Sequence, residues 1–272
     1  MGGSPLLPEL AESDSVGEIA ALYAEIRATL GIPFVGLIYR TLAMESGRLG
    51  SVWSRLGPLL GHPSTWAVAA ALDAGLDRAP AIAPAKGLLA EGFDARLAAQ
   101  SAATLAAYDR MNRLNLLGLS ALVNPDRPSL AAATTTAPPG AAIKWAREDL
   151  LPMPALDTLP DADRDVLLRI SESLLPGQRP VLVPSLLRHF ARPGVLPVLW
   201  KSVGPAVECG FLAAAAARLR LQAAALPFPP GVTMEPILDA EVVEIAKRFV
   251  VATSTMIVAG ALLDRALESD RG

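Results

Sequence analysis

Residues 33–58, PFVGLIYRTLAMESGRLGSVWSRLGP, and residues 180–205, PVLVPSLLRHFARPGVLPVLWKSVGP, align without a gap. Six of the 26 positions are identical: Pro33/Pro180, Gly47/Gly194, Leu49/Leu196, Trp53/Trp200, Gly57/Gly204 and Pro58/Pro205. Background usage of these residue types would give roughly two. The paired tryptophans weigh most, because the chain holds only 4. Upstream, Leu7-Pro8-Glu9-Leu10 mirrors Met153-Pro154-Ala155-Leu156. Downstream, the long helix expected in each half aligns as well and sets Asn112 opposite Thr253. The reading is a helical unit written twice, over about residues 5–122 and 152–268. We divide the chain into repeat one (1–122), a Pro/Thr-rich linker (123–151) and repeat two (152–272). Two similar units pack through equivalent faces, as the subunits of a homodimer do. The expected fold is therefore all-α, with two homologous helical repeats packed as an intramolecular pseudo-dimer.

Composition agrees. Of 272 residues, 52% are apolar, 5% aromatic and 19% charged. Alanine and leucine, both strong helix formers, dominate, whereas strands favour β-branched and aromatic residues. Ser15-Val16-Gly17-Glu18 has the spacing of a capping box, with Ile19, Leu22, Ile26 and Leu30 following at helical intervals. Further helices are expected over 34–44, 49–60, 64–76 and 95–122. Residues 124–140 hold four prolines and a threonine run and read as an exposed linker. Beyond it, helices are expected over 161–175, 184–191 (with Pro184 in its first turn), 195–203, 207–224 and 239–267.

Several functions are excluded by composition. A formal charge of -3 with no dense basic stripe argues against nucleic acid as a partner. Only four of the basic residues are lysines, which argues against a polybasic membrane patch. One cysteine and 2 histidines leave no disulfide framework and little for a metal site. The apolar run Phe249–Leu263 is short of the roughly 20 residues that cross a bilayer, and the amino terminus lacks the pattern of a signal peptide. We expect a cytoplasmic protein, monomer or homodimer, with no membrane, metal or cofactor. Its partner would be a small molecule, with a carboxylic acid among the candidates, bound between the repeats.

Several residues invite a chemical role beside a plainer one. Asn112, with Tyr108 close by, sits on a mostly apolar helix, as a pocket group or a structural polar residue. Arg40 suits a substrate carboxylate, since a guanidinium pairs well with one, or is an exposed helix arginine. Ser185 and His189 stand at i,i+4, the spacing of a dyad on one helix face, or His189 is a surface or hydrogen-bonded structural histidine. Cys209 reads as a small core residue.

The stretch RATLGIPFVGLIYRTLA, followed by Leu49 and Trp53, and the later YDRMNRLNLLGLSAL resemble the group I 2-haloacid dehalogenases, as do the duplicated halves. The resemblance covers nearly the whole chain. It implies an all-α pseudo-dimer with one site between the repeats. It also implies hydrolysis of short 2-haloalkanoic acids by a water that an aspartate activates, with no cofactor. Carried onto this sequence, Asn112 matches an asparagine that holds the catalytic water. Phe34 and Leu37 replace a pocket tryptophan and phenylalanine, and Thr253 replaces a pocket tyrosine. The position of the aspartate, eight residues before Pro193, is Ser185, and no Asp or Glu occurs between Glu172 and Glu208.

Overall fold

A computed structural model describes residues 6–82, 85, 94–128, 145–237 and 239–268. Ten α-helices occur among them: α1 (Gly17–Leu30), α2 (Leu37–Leu42), α3 (Arg48–Leu60), α4 (Thr65–Ala70), α5 (Ala95–Val123), α6 (Asp161–Leu174), α7 (Ser185–His189), α8 (Val195–Glu208), α9 (Phe211–Ala225) and α10 (Ala240–Glu268). The fold is all-α. Among these helices, α1 and α6 are each 14 residues long, and α5 and α10 are each 29.

The identities between residues 33–58 and 180–205 have local physical causes. Gly47 and Gly194 precede α3 and α8 with φ of 73° and 77°, the left-handed conformation that side chains with a Cβ resist. Along those helices, a Cβ on Gly57 would lie 3.5 Å from the Trp53 indole, and one on Gly204 would lie 3.3 Å from that of Trp200. A glycine in each helix thus lets the tryptophan ring lie along its own backbone. Pro58 and Pro205 fall near the C-terminal ends, where a lost backbone donor disturbs little of the ladder.

α5 and α10 form the centre, one from each half, and pack along one another. From Leu114 to Leu122, α5 is buried on every side, as befits a helix surrounded by protein. Its start is fixed by Asp94, whose carboxylate accepts from Leu97 N at 2.9 Å, a cap that stabilises a helix by about 1 kcal/mol. α4 and α9 lie against α5, and α8 and α9 against α10. The short α2 and α7 cross over: α2 touches α10, and α7 touches α5. The amino-terminal arm crosses too, since Leu7 N donates to Val181 O at 2.9 Å and Leu10 N to Arg40 O at 3.0 Å.

Several sequence expectations need correction. The capping box at Ser15 does not form: α1 begins at Gly17 without a side-chain cap, and Ser15 Oγ instead donates to Glu12 O at 2.7 Å. The expected helices over 34–44 and 64–76 shrink to α2 and α4. Helix α8 extends through Pro205 to Glu208, so Cys209 caps its end and is exposed rather than core. Pro184 precedes α7 instead of sitting in its first turn. Residues 129–144 of the linker lie outside the described residues. Its other end is no exposed tether, because Leu150 and Leu151 are buried and Leu151 N donates to Thr104 Oγ1 at 2.9 Å. α10 is also long and apolar enough, by length and composition, to cross a membrane, contrary to the sequence reading; 67% of its most apolar stretch is buried inside the protein.

Candidate functional site

Helices α2 and α7 bring one short buried element from each half to the same place beside α5. Gly36, just before α2, lies so close to α5 that a Cβ there would meet Met111 Sδ at 2.9 Å. That approach sets Leu37 against the middle of α5. Between α2, α5, α7 and α10 lies a chamber of about 40 Å³, bordered by Leu37, Tyr108, Asn112, Ser185 and Thr253, among others. This is room for only a few water-sized groups. Its other walls include Met111, Leu182, Leu186, Phe249 and Met256, so the enclosure is largely apolar. No carboxylate lines it among the described residues.

The polar groups of the chamber differ in how they are engaged. Asn115 accepts from the Tyr39 hydroxyl at 2.6 Å, which fixes that amide. The Asn112 amide and Thr253 hydroxyl are buried with no side-chain hydrogen bond among the described residues. Both are free to meet a guest. Ser185, the first residue of α7, accepts from Arg40 Nη2 at 2.8 Å. Arg40 is 4% exposed, so the reading of it as an exposed helix arginine is overturned. The same Nη2 ion-pairs with Glu9 Oε2 at 3.0 Å.

Glu9 carries the network across the seam. Its other oxygen accepts from Arg188 Nη1 at 2.8 Å, and Arg188 Nη2 donates to Pro154 O at 3.1 Å. Arg188 is 7% exposed. One carboxylate thus lies between two buried guanidiniums, one from α2 and one from α7. Buried charges are costly unless partnered, and removing one member of such a set costs about 3–5 kcal/mol.

Tyr108 separates this cluster from the chamber. Phe34 stacks on its ring with centroids 4.5 Å apart, and its hydroxyl meets His189 Nε2 at 3.1 Å. His189 Nδ1 lies 2.5 Å from Leu151 O, and a carbonyl only accepts, so Nδ1 carries the proton. Nε2 then accepts from Tyr108. Burial pushes the His189 pKa down to about 4, helped by the charges of Arg188, Arg40 and Arg147 and opposed by the Leu151 hydrogen bond. Burial raises the Tyr108 phenol above its ordinary value, with Arg40 and Arg188 pulling the other way. Both ring nitrogens of His189 are engaged, and neither by Ser185, so the i,i+4 pair does not form a direct dyad.

Beyond Tyr108 opens a cleft of about 760 Å³, bordered by Phe34, Arg40, Arg188, His189 and Glu9, with Leu150 to Met153 along one side. The eight residues singled out in the sequence therefore converge on one seam, on two sides of one ring. Leu37, Asn112, Ser185 and Thr253 face the chamber; Phe34, Arg40 and His189 face the cleft; Tyr108 faces both. Sequence reasoning missed Glu9, Arg188 and Leu151. The signal for Glu9 was present in the mirrored segments, where Leu7-Pro8-Glu9-Leu10 holds a carboxylate and Met153-Pro154-Ala155-Leu156 does not. No group of three or more His, Cys, Asp or Glu suited to a metal ion occurs among the described residues.

No family model matches the chain, and no curated protein does. Solved structures do. A D-2-haloacid dehalogenase mutant in complex with D-2-CPA is similar with a TM-score of 0.71 and 18% identity, over 98% of this chain and 97% of that one. A D-2-haloacid dehalogenase in complex with L-LA gives a TM-score of 0.71 and 17% identity, over 98% of each chain. At such identities the likeness is one of fold.

Proposed function

We propose that this chain is a small-molecule pocket protein on the D-2-haloacid dehalogenase fold, whose seam chamber holds a short 2-substituted carboxylic acid or a similar, more apolar molecule without activating water to attack it. One observation carries the reading: the chamber offers Asn112, Ser185, Thr253 and Tyr108 to a guest, and no carboxylate among its described walls. Displacing halide with water needs a base to take the proton of that water, a contribution of roughly a hundred- to ten-thousand-fold. Ser185 stands where the family resemblance puts the aspartate. A serine hydroxyl is a poor base at neutral pH without a partner. His189 cannot serve, since its one lone pair already accepts from Tyr108 and burial disfavours its protonation.

The test is halide release. Wild-type protein at high concentration with 2-chloropropionate is expected to give no chloride above background, while Ser185→Asp gains measurable release because the rest of the chamber still seats the acid. Enzyme-dependent chloride from the wild type overturns the proposal. Silence from both, together with no shift in melting temperature at high ligand concentration, removes the short acid as a guest and leaves the more apolar molecule.

A further inference from the structure

The cleft beyond Tyr108 has its own chemistry, which the chamber does not use. Arg40 and Arg188 each carry five N–H donors. Arg40 donates to Ser185 and meets Glu9 Oε2 only as an ion pair, which leaves that buried oxygen without a hydrogen bond, while Arg188 donates to Glu9 Oε1 and the Pro154 carbonyl. The Nε of each is buried with no hydrogen-bond partner, although buried donors are paired in the great majority of cases. Two guanidiniums against one carboxylate also leave the cluster with an uncancelled positive charge. The carboxylate itself is the loosest member. Glu9 is 23% exposed while the arginine side chains are 5% and 8% exposed, and it rides on an irregular segment outside any helix.

We infer that Arg40 and Arg188 form a binding site for an amphipathic monocarboxylic acid in the 760 Å³ cleft, and that Glu9 occupies this site intramolecularly until the ligand displaces it. Exchanging one carboxylate for another keeps the buried charge unchanged, and Glu9 can turn to water where the arginines cannot. A planar carboxylate matches the guanidinium fork. The apolar remainder of the ligand would lie along Phe34, Leu150, Leu151, Pro152 and Met153, which border the same cleft. A volume of this size is in the range of ligand pockets, roughly 300–1,000 Å³. The site adjoins the chamber but does not depend on the function proposed for it.

The experiment uses the full chain and two probes, octanoate and the neutral octanamide, followed by calorimetric titration and by melting temperature. Octanoate is expected to bind the wild type and to bind Glu9→Gln at least tenfold more tightly, because the internal competitor is gone. Octanamide binds neither. Arg188→Gln loses octanoate binding, and Arg188→Lys, which keeps the charge but not the fork, weakens it by tenfold or more. Thr253→Leu, which alters the chamber, leaves octanoate affinity within twofold, so this site and the proposed function fail separately. Equal binding of acid and amide, unchanged affinity in Glu9→Gln, or octanoate binding that survives Arg188→Gln overturns the inference. Absence of octanoate binding in both the wild type and Glu9→Gln does so too.

Discussion

His189 sits where protein from both halves closes over it, and its titration should be visible in the stability of the whole chain. Its folded pKa, about 4, lies below the ordinary 6.5. Between those values the unfolded chain binds a proton that the folded chain refuses, so stability rises with pH across that window. This contribution is complete above about pH 6.5 and lost as pH falls toward 4; its full size is on the order of 3 kcal/mol. Denaturant titrations from pH 4 to 7 are expected to show a flatter slope for His189→Gln than for the wild type, and an equal slope would mean that the imidazole stays accessible to protons. Tyr108→Phe keeps the stacking with Phe34 but strips His189 of its donor. We expect it to lower stability by about 1–2 kcal/mol at pH 7, measured by the same titrations. At this scale the sequence was legible where a resemblance supplied a position, as for Asn112 and Ser185. It was opaque where partners are remote, since nothing periodic ties Glu9 to an arginine 179 positions away.

Among the elements, the long helices were readable and the short ones were not. Helices α5 and α10 were expected within a residue or so of their observed ends, because an unbroken run of helix formers outweighs local disturbance. Helices α2 and α4 came out far shorter than expected, as turns and packing override propensity in segments of only 6 residues. The glycine pairs give predictions of opposite sign. Gly47→Ala and Gly194→Ala force a Cβ into left-handed backbone and should each cost about 1–2 kcal/mol. Gly57→Ala meets Trp53 only at ordinary contact distance within a regular helix, and should be neutral or stabilising by up to about 1 kcal/mol. Thermal melts of the three variants would check the signs; a destabilised Gly57→Ala would show that the tryptophan cannot give way.

For the molecule as a whole, the halves exchange contacts at every level: α5 with α10, α7 with α5, α2 with α10, and the amino-terminal arm with Val181. Each half alone would expose the face that the other covers. We expect one cooperative unfolding transition in calorimetry, and no cooperative transition for residues 1–123 expressed by themselves; two resolved transitions in the full chain would show halves that fold apart. The apolar, helix-forming sequence foretold an all-α fold, but not that the irregular segments carrying Glu9 and Pro154 would meet at Arg188. That meeting has a consequence in time. A ribosome adds roughly 5–20 residues per second, so Glu9 waits on the order of ten seconds or longer before Arg188 exists to receive it. The arm that carries Glu9 is thus made long before its partner, and a protease added during synthesis would find it cleavable until Arg188 has emerged.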